Sequence, residues 1–533
     1  MRSAGRVDAP PWWGALPALA TVPGPYPRPI PLPEARITAH HEGRRGSQPL
    51  PSLRAVHLRG AGALRPARPG SAGLRPLPGR DRTGRDRAGH PRLPCAGDHR
   101  LPRCRRCGGR RGAVTTPLER IVVVGASLAG LAAAHALRER GYAGRLTLVG
   151  AEPHRPYDRP PLSKQVLRGL YSADTTLPCH PDLRAEFRLG QPATRLDLTG
   201  RVVECEDGSR LPYDRLLIAT GTRARPWPNP EEAALAGVFT LRDRDDAERL
   251  GAHLRTKPQR VVLVGGGFIG FEVASTCRDL DIPVTLLVRD AVPLAAALGP
   301  RLGGLIGEVA REKGVDLRLE SEIERMEGEA GRLAAVILKD GTRIETDCLV
   351  AAIGTLRNVE WLDGSGLEAD AGGLRCDAFC RALLQDGRVA EGVFCAGDVA
   401  RWPNPHDDDA LVAVEHWGNA RAQAETAAAN MLAGDASAMR RHDHLPDFWS
   451  QQFGLTIKLV GLTEGADALA VVHGSFEERR LVAAFGKAGR TVAAAAIDSA
   501  RWLPAYKAAI RERAPFPPIE DAVDQPRIRV QEP

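Results

Sequence analysis

One feature constrains this chain more than any other: a strand that runs through a glycine-rich turn into a helix, and that occurs twice. Ile121-Val-Val-Val-Gly125-Ala-Ser127-Leu-Ala129-Gly130 is the first copy, and Val261-Val-Leu-Val-Gly265-Gly-Gly267-Phe-Ile-Gly270 is the second. Each opens as a continuous β-branched run, as a strand buried on both faces does. Each continues into an apolar stretch of helical period and then a second strand, at Leu146–Val149 and Val284–Val288. In Gly-x-Gly-x-x-Gly the first glycine permits the tight turn and the second lets backbone approach a pyrophosphate. The third lets helix and strand pack closely. The anion then rests at the helix N-terminus, where unpaired amides and the dipole favour negative charge. A single match is weak, but two, each between a strand and a helix, predict a duplicated dinucleotide-binding unit.

The copies differ in detail. The first has Ser127 at the middle position, a residue small enough to keep the approach open. Glu152, 22 residues past Gly130, is the natural acceptor for a ribose hydroxyl. The second copy has all three glycines, but its partner strand ends Leu287-Val288-Arg289-Asp290. An acid at 288 would favour NADH; Val288 followed by Arg289 offers a cation to a 2′-phosphate, while Asp290 keeps a 2′-hydroxyl partner available. Leu216-Leu-Ile-Ala-Thr220-Gly221 and Leu349-Val-Ala-Ala-Ile353-Gly354 are short buried-strand runs ending in glycine. They read as the closing strands of the two units, with Thr220, Gly221 and Gly354 as cofactor contacts.

Outside these units the chain changes character. Residues 1–111 hold 22 Arg, no Lys and six acidic residues, a net of +16; the whole chain is +8, so the rest is net −8. The basic pI therefore belongs to an Arg/Pro/Gly-rich arm, 1–115, that carries no apolar period and is expected to be disordered. Val114-Thr-Thr-Pro-Leu-Glu-Arg reads as a natural start from an alternative initiation codon, which N-terminal sequencing tests. Nucleic-acid binding would have to reside in the arm, and its few aromatics, Trp12, Trp13 and Tyr26, support stacking poorly. No stretch approaches the ~18 apolar residues of a membrane span. The ten cysteines form no dense framework of the secreted type, so a cytoplasmic protein with free thiols is expected.

Between the two units lies Pro156-Tyr-Asp-Arg159-Pro-Pro-Leu-Ser-Lys164. With the turns themselves, the Ala-Thr220-Gly221 strand end and Cys395-Ala-Gly397-Asp398-Val-Ala, it resembles the FAD-dependent NAD(P)H:ferredoxin reductases. This is the oxygenase-associated group of putidaredoxin and rubredoxin reductases. The resemblance runs from about Thr116 to Arg527. It implies an α/β fold of two Rossmann-like dinucleotide-binding domains plus a C-terminal α+β domain. The FAD domain would comprise 116–230 and 353–440, the NAD(P) domain 231–352, and the C-terminal domain 441–527. It also implies roles: Arg159 and Lys164 beside the flavin ring, Glu272 near the carboxamide and paired with Lys164, Arg242 on the FAD phosphates. Asp398 would hold the ribityl chain, and Glu415-His416-Trp417 would cover the flavin, with Trp417 stacking. Phe448-Trp449-Ser450 matches the start of the C-terminal domain, followed by Gln451 where the family has Asp.

The activity so implied takes hydride from NAD(P)H onto FAD and passes single electrons to a small iron–sulfur ferredoxin serving a mono-oxygenase or dioxygenase. A monomer or weak homodimer is expected. Two other flavoprotein readings compete, an NAD(P)H oxidase and a nicotinamide sensor of the apoptosis-inducing-factor type. Disulfide reduction is disfavoured, because the stretch after the first unit contains no cysteine; Cys179 lies outside the motif, and Cys376 and Cys380 read as structural. No metal site is expected: Cys104-x-x-Cys107 lacks two further ligands, and His406-Asp407-Asp408-Asp409 reads as a solvated loop.

Overall fold

A computed structural model describes residues 118–518 of the 533 and the backbone of 529–530. The basic arm, Val114 and Cys104–Cys107 lie outside the described residues. The first sheet has six strands, in the order Arg381–Leu383, Val389–Cys395, Arg215–Ile218, Arg120–Val124, Arg145–Val149, Glu186–Arg188. Arg120–Val124 lies at its centre, parallel to both neighbours, with Val122 opposite Thr147 on one side and Leu216 on the other. Ile121 to Val124 are all buried, which is why that strand shows no polar alternation. The helix Leu128–Glu139 presents Ala133, Ala134 and Ala136 to a core that also holds Ala424, Ala427 and Ala428 of the helix Trp417–Met431. Alanine on both faces lets the two backbones approach closely.

The second sheet has five strands, in the order Asp316–Arg318, Val284–Leu287, Val261–Val264, Cys348–Ala351, Val238–Thr240, all parallel. All of its strands come from a single insertion, whereas the first sheet takes strands from both sides of that insertion. The two chain crossings pair with one another: Thr222–Ala224 runs antiparallel to Thr355–Arg357. Among the described residues no helix is long and apolar enough to cross a membrane.

The third sheet is six-stranded, in the order Asp447–Gln452, Leu455–Gly461, Arg490–Ile497, Arg480–Lys487, Ala468–Ser475, Arg529–Val530, with the helix Leu503–Arg511 packed on it. Its last strand falls beyond the expected boundary at 527, since a two-residue edge strand carries no readable period. The loop His406–Asp409 is solvated as expected, with Asp408 58% and Asp409 56% exposed, and it is also ion-paired. Asp407 pairs with Lys487 at 2.8 Å, Asp408 with Arg490 at 2.9 Å and Arg513 at 2.7 Å, and Asp409 with Arg441 at 2.8 Å. His406 Nε2 lies 3.1 Å from Asp443. The loop is an ionic clasp onto the third sheet and the segment leading into it, and its partners lie too far along the chain for spacing to reveal them.

Candidate functional site

The glycine turns are built by steric necessity. Gly125 has φ +120°, and a Cβ there would stand 2.0 Å from the Ala219 carbonyl oxygen; at Gly130 it would stand 2.0 Å from the Gly125 oxygen. Gly265 (φ +122°) and Gly270 repeat this, at 2.1 Å from the Ala352 oxygen and 2.3 Å from the Gly265 oxygen. These four positions exclude any side chain. The middle positions differ. Nothing lies within 4 Å of a Cβ at Gly267, which opens onto a cavity. Ser127 caps the first helix without spending its side chain on a cap hydrogen bond. Both turns therefore offer free helix N-termini to one continuous space of about 1780 Å³. Gly221 and Gly354, at the ends of the closing strands, also line it with open room above them.

A ladder of charges follows one wall. Tyr157 donates its hydroxyl to Glu152 Oε2 at 2.5 Å, and Arg159 donates to Glu152 Oε1 at 2.5 Å and to the Arg242 carbonyl at 2.9 Å. Arg242 in turn donates to Asp398 at 2.7 Å and to the Thr222 hydroxyl at 2.8 Å. Burial pushes the Asp398 carboxyl up, and the Arg242 guanidinium opposes that shift. Arg159 lines the same cavity as Lys164, with its guanidinium held by Glu152 just past the end of the second strand. Glu415 accepts from Arg357 at 2.5 Å and from Thr355 at 2.8 Å. Burial works against its charge, yet the Arg357 guanidinium holds its carboxyl below the usual range. Trp417 donates its indole N–H to Asp158 at 2.9 Å and meets Trp449 edge-on at 6.1 Å. His416, beside it, is pushed down to about 4 by burial and is neutral at pH 7.

At the floor lies a buried ion pair, Lys164 Nζ to Glu272 Oε2, 2.6 Å. Lys164 sits in a π-helical turn, Leu162–Val166, an irregularity that recurs at functional sites. Its ammonium also donates to the Pro160 carbonyl at 3.1 Å and to Ser163 Oγ at 3.2 Å, which accounts for all three of its donors. Glu272 accepts from Ser163 at 2.5 Å and from Ser450 at 2.6 Å. Three segments meet on this carboxylate: the motif loop, the helix of the second turn and the first strand of the third sheet. Ser163 and Ser450 stand inside motifs legible in the sequence, but a serine carries no periodicity that marks it as a site residue. Thr222, Tyr157 and Asp158 were missed for the same reason. Gln451 is exposed and lies outside the cavity lining, as expected of the neighbour of an inward-facing strand residue.

Further along, Arg289 and Asp290 line the cavity, with side chains 77% and 71% exposed, whereas Val288 is buried. Among the described residues no cysteine lines the cavity. Cys179 is exposed elsewhere, and burial raises the Cys380 and Cys395 thiols well above the ordinary value. Among the described residues no group of His, Cys, Asp and Glu is arranged to hold a metal ion.

The observed donors fit FAD. A helix N-terminus faces the space with an unblocked middle turn position, an acid stands just past the second strand's end, and a half-buried Arg–Asp pair lies between. Comparison with known proteins agrees. A model of the pyridine nucleotide-disulphide oxidoreductase family matches residues 119–424, and a reductase C-terminal model matches 447–530. The chain is 36% identical over 360 residues to the ferredoxin–NAD(+) reductase component of the biphenyl dioxygenase system of Paraburkholderia xenovorans, covering 66% of this chain and 84% of that protein. It is 32% identical over 411 residues to putidaredoxin reductase of Pseudomonas putida, covering 75% and 93%. The crystal structure of a covalent putidaredoxin reductase–putidaredoxin complex superposes with a TM-score of 0.69 at 31% identity, over 74% of this chain and 94% of that one.

Proposed function

The chain belongs to the pyridine nucleotide-disulphide oxidoreductase family, and from that premise we propose which of its residues hold the cofactors that carry electrons from NAD(P)H through FAD to a ferredoxin. It is an FAD-dependent NAD(P)H:ferredoxin oxidoreductase. FAD, when bound, supplies the redox chemistry: it accepts a two-electron hydride and yields electrons one at a time. The protein binds, orients and excludes water.

One observation carries the assignment of roles: both phosphate-binding turns open on the same cavity, and the buried Lys164–Glu272 pair lies in its wall. Gly125, Ser127, Ala129 and Gly130 hold the FAD pyrophosphate, with Glu152 at the ribose. Gly265, Gly267 and Gly270 hold that of the nicotinamide coenzyme. Arg242 and Asp398 form a preorganised pair along the FAD chain, supported by Thr220, Gly221, Gly354 and Gly397. Lys164, Glu272 and Trp417 stand against the reacting rings. Glu272 neutralises Lys164, and the two serines fix its carboxylate, so this wall keeps one geometry through the reaction. Glu415, tied to Arg357, closes the side next to Trp417.

The proposed acceptor is a small iron–sulfur ferredoxin of an oxygenase system, and the proposed setting is the cytoplasm, a reading supported by the free state of the described cysteines. The test is steady-state reduction of cytochrome c by the FAD-loaded protein, with and without a ferredoxin. Turnover that depends on ferredoxin is expected. Nucleotide oxidation that ignores ferredoxin and consumes oxygen would instead mark an oxidase, and a reduced flavin that persists unreacted would mark a sensor.

The Arg242–Asp398 pair gives a further expected outcome. Arg242→Ala leaves the buried Asp398 carboxylate without its partner, a loss of about 1.5–3 kcal/mol for hydrogen bonds to charged groups. The purified variant is expected to retain a smaller fraction of its FAD, read from the ratio of flavin to protein absorbance. Full flavin content would contradict the pair's proposed role.

A further inference from the structure

In a fold of this kind the ribose attached to the pyrophosphate lies just past the end of the second strand of its unit. For the second turn that place is occupied by residues 288–290. Val288 is buried, and its Cγ1 lies 2.6 Å from where a Cβ on Gly266 would stand. It packs under the turn and offers the coenzyme nothing polar. Arg289 and Asp290 are the next side chains, and both line the cavity.

Arg289 differs from the other arginines there. Arg159, Arg223 and Arg242 each donate to a carboxylate, on Glu152, Glu360 and Asp398 respectively, at 2.5–2.7 Å. Arg289 donates no hydrogen bond, and its nearest carboxylate oxygen, on Asp290, is 3.8 Å away. Among the described arginines of the cavity, it alone donates no hydrogen bond to a carboxylate. Glu322, another acid on this rim, is neutralised by Lys339 at 2.7 Å. The rim therefore presents a cation and a carboxylate that are only loosely paired with one another and largely solvated.

We infer that Arg289 is a 2′-phosphate contact and Asp290 a 2′-hydroxyl contact, so that this chain takes NADPH as well as NADH. The inference rests on the second turn being the nicotinamide-dinucleotide site. A guanidinium meets a phosphate with paired, charge-assisted hydrogen bonds, and a carboxylate accepts from a ribose hydroxyl but repels a phosphate. Neither residue excludes the other's coenzyme, because both side chains are largely solvated and free to turn aside.

The test uses the full FAD-loaded chain and two independent readouts. The first is the rate at which NADH and NADPH, mixed separately with the protein, bleach the flavin. The second is calorimetric titration with 2′,5′-ADP and with 5′-AMP, which reports binding without turnover. The parent is expected to use the two coenzymes with efficiencies within roughly tenfold of each other. Arg289→Gln is expected to lower the NADPH/NADH efficiency ratio by about tenfold or more, mainly through KM, and to weaken 2′,5′-ADP more than 5′-AMP. Asp290→Asn is expected to shift the ratio the other way. NADPH more than about a hundredfold poorer than NADH in the parent, or an Arg289→Gln ratio equal to the parent's, would overturn the inference. If neither coenzyme bleached the flavin, the reading of the second turn would fall with it; bleaching by NADH alone overturns only this inference.

Discussion

Glu272→Ala is expected to unfold more readily than the parent by about 3–5 kcal/mol, because it leaves the Lys164 ammonium buried with no counter-charge. Lys164 is only 13% exposed and its partner 5%, so water from the cavity replaces the lost carboxylate poorly. The cost also includes two hydroxyls, since Ser163 and Ser450 both donate to Glu272 and would lose their acceptor. Glu272→Gln separates the contributions: its amide oxygen still accepts from one serine, but the charge is gone. The order of stability expected is parent, then Gln, then Ala, measured as midpoints of urea unfolding at matched flavin content. Midpoints are the quantity compared, since a chain with several sheets need not unfold in one step. The same variants are expected to slow flavin bleaching by NAD(P)H. An alanine variant as stable as the parent would show that the pair is not held as tightly as its geometry indicates. Ser450→Ala gives a milder version, about 1–3 kcal/mol for an unpaired buried group.

The second large effect is a contrast between two glycines of one turn. Gly265→Ala is expected to lose more than about 3 kcal/mol, because its methyl would stand 2.1 Å from the backbone oxygen of Ala352 at a φ of +122°. Neither the carbonyl nor the torsion can yield without moving the strand Cys348–Ala351, which is buried along its whole length. Gly267→Ala meets nothing within 4 Å and is expected to fold and hold FAD like the parent. Its methyl instead enters the space through which a pyrophosphate approaches. Overpacking of about 1–3 kcal/mol raises the KM for the nicotinamide coenzyme roughly tenfold, at 1.4 kcal/mol per factor of ten. Thermal unfolding and steady-state kinetics on the two variants check the pair of outcomes. A normal KM for Gly267→Ala would show that the second turn accepts a small side chain at its middle position. The first turn already carries Ser127 at the corresponding position, so a small side chain is compatible with its own site.

What was legible in the sequence was local. A glycine at 125 or 265 is demanded by backbone geometry a few residues away, and continuous β-branched runs declare strands covered on both faces. The motif around Arg159–Lys164 and the family resemblance then supplied the order of domains and the cofactors. What escaped was relational. The resemblance places Arg159 and Lys164 together, but not the carboxylate of Glu152 that holds the Arg159 guanidinium. The ion pairs of His406–Asp409 are not legible because Lys487 and Arg490 come from another sheet and Arg513 from beyond its helix. The edge strand at 529–530 was too short to show a period.

The sequence by itself determined the two phosphate-binding turns, the class of fold and the motif that lines the cavity, because each is written within one strand–turn–helix unit whose sterics are short-ranged. Only the tertiary structure decided which side chains complete the site. The bond from Ser450 to Glu272 spans 178 residues, and that from Arg242 to Asp398 spans 156. Such pairs arise when separately specified sheets pack against one another. A hydrogen bond depends on where two backbones meet in space, and the spacing of residues along the chain does not encode that position.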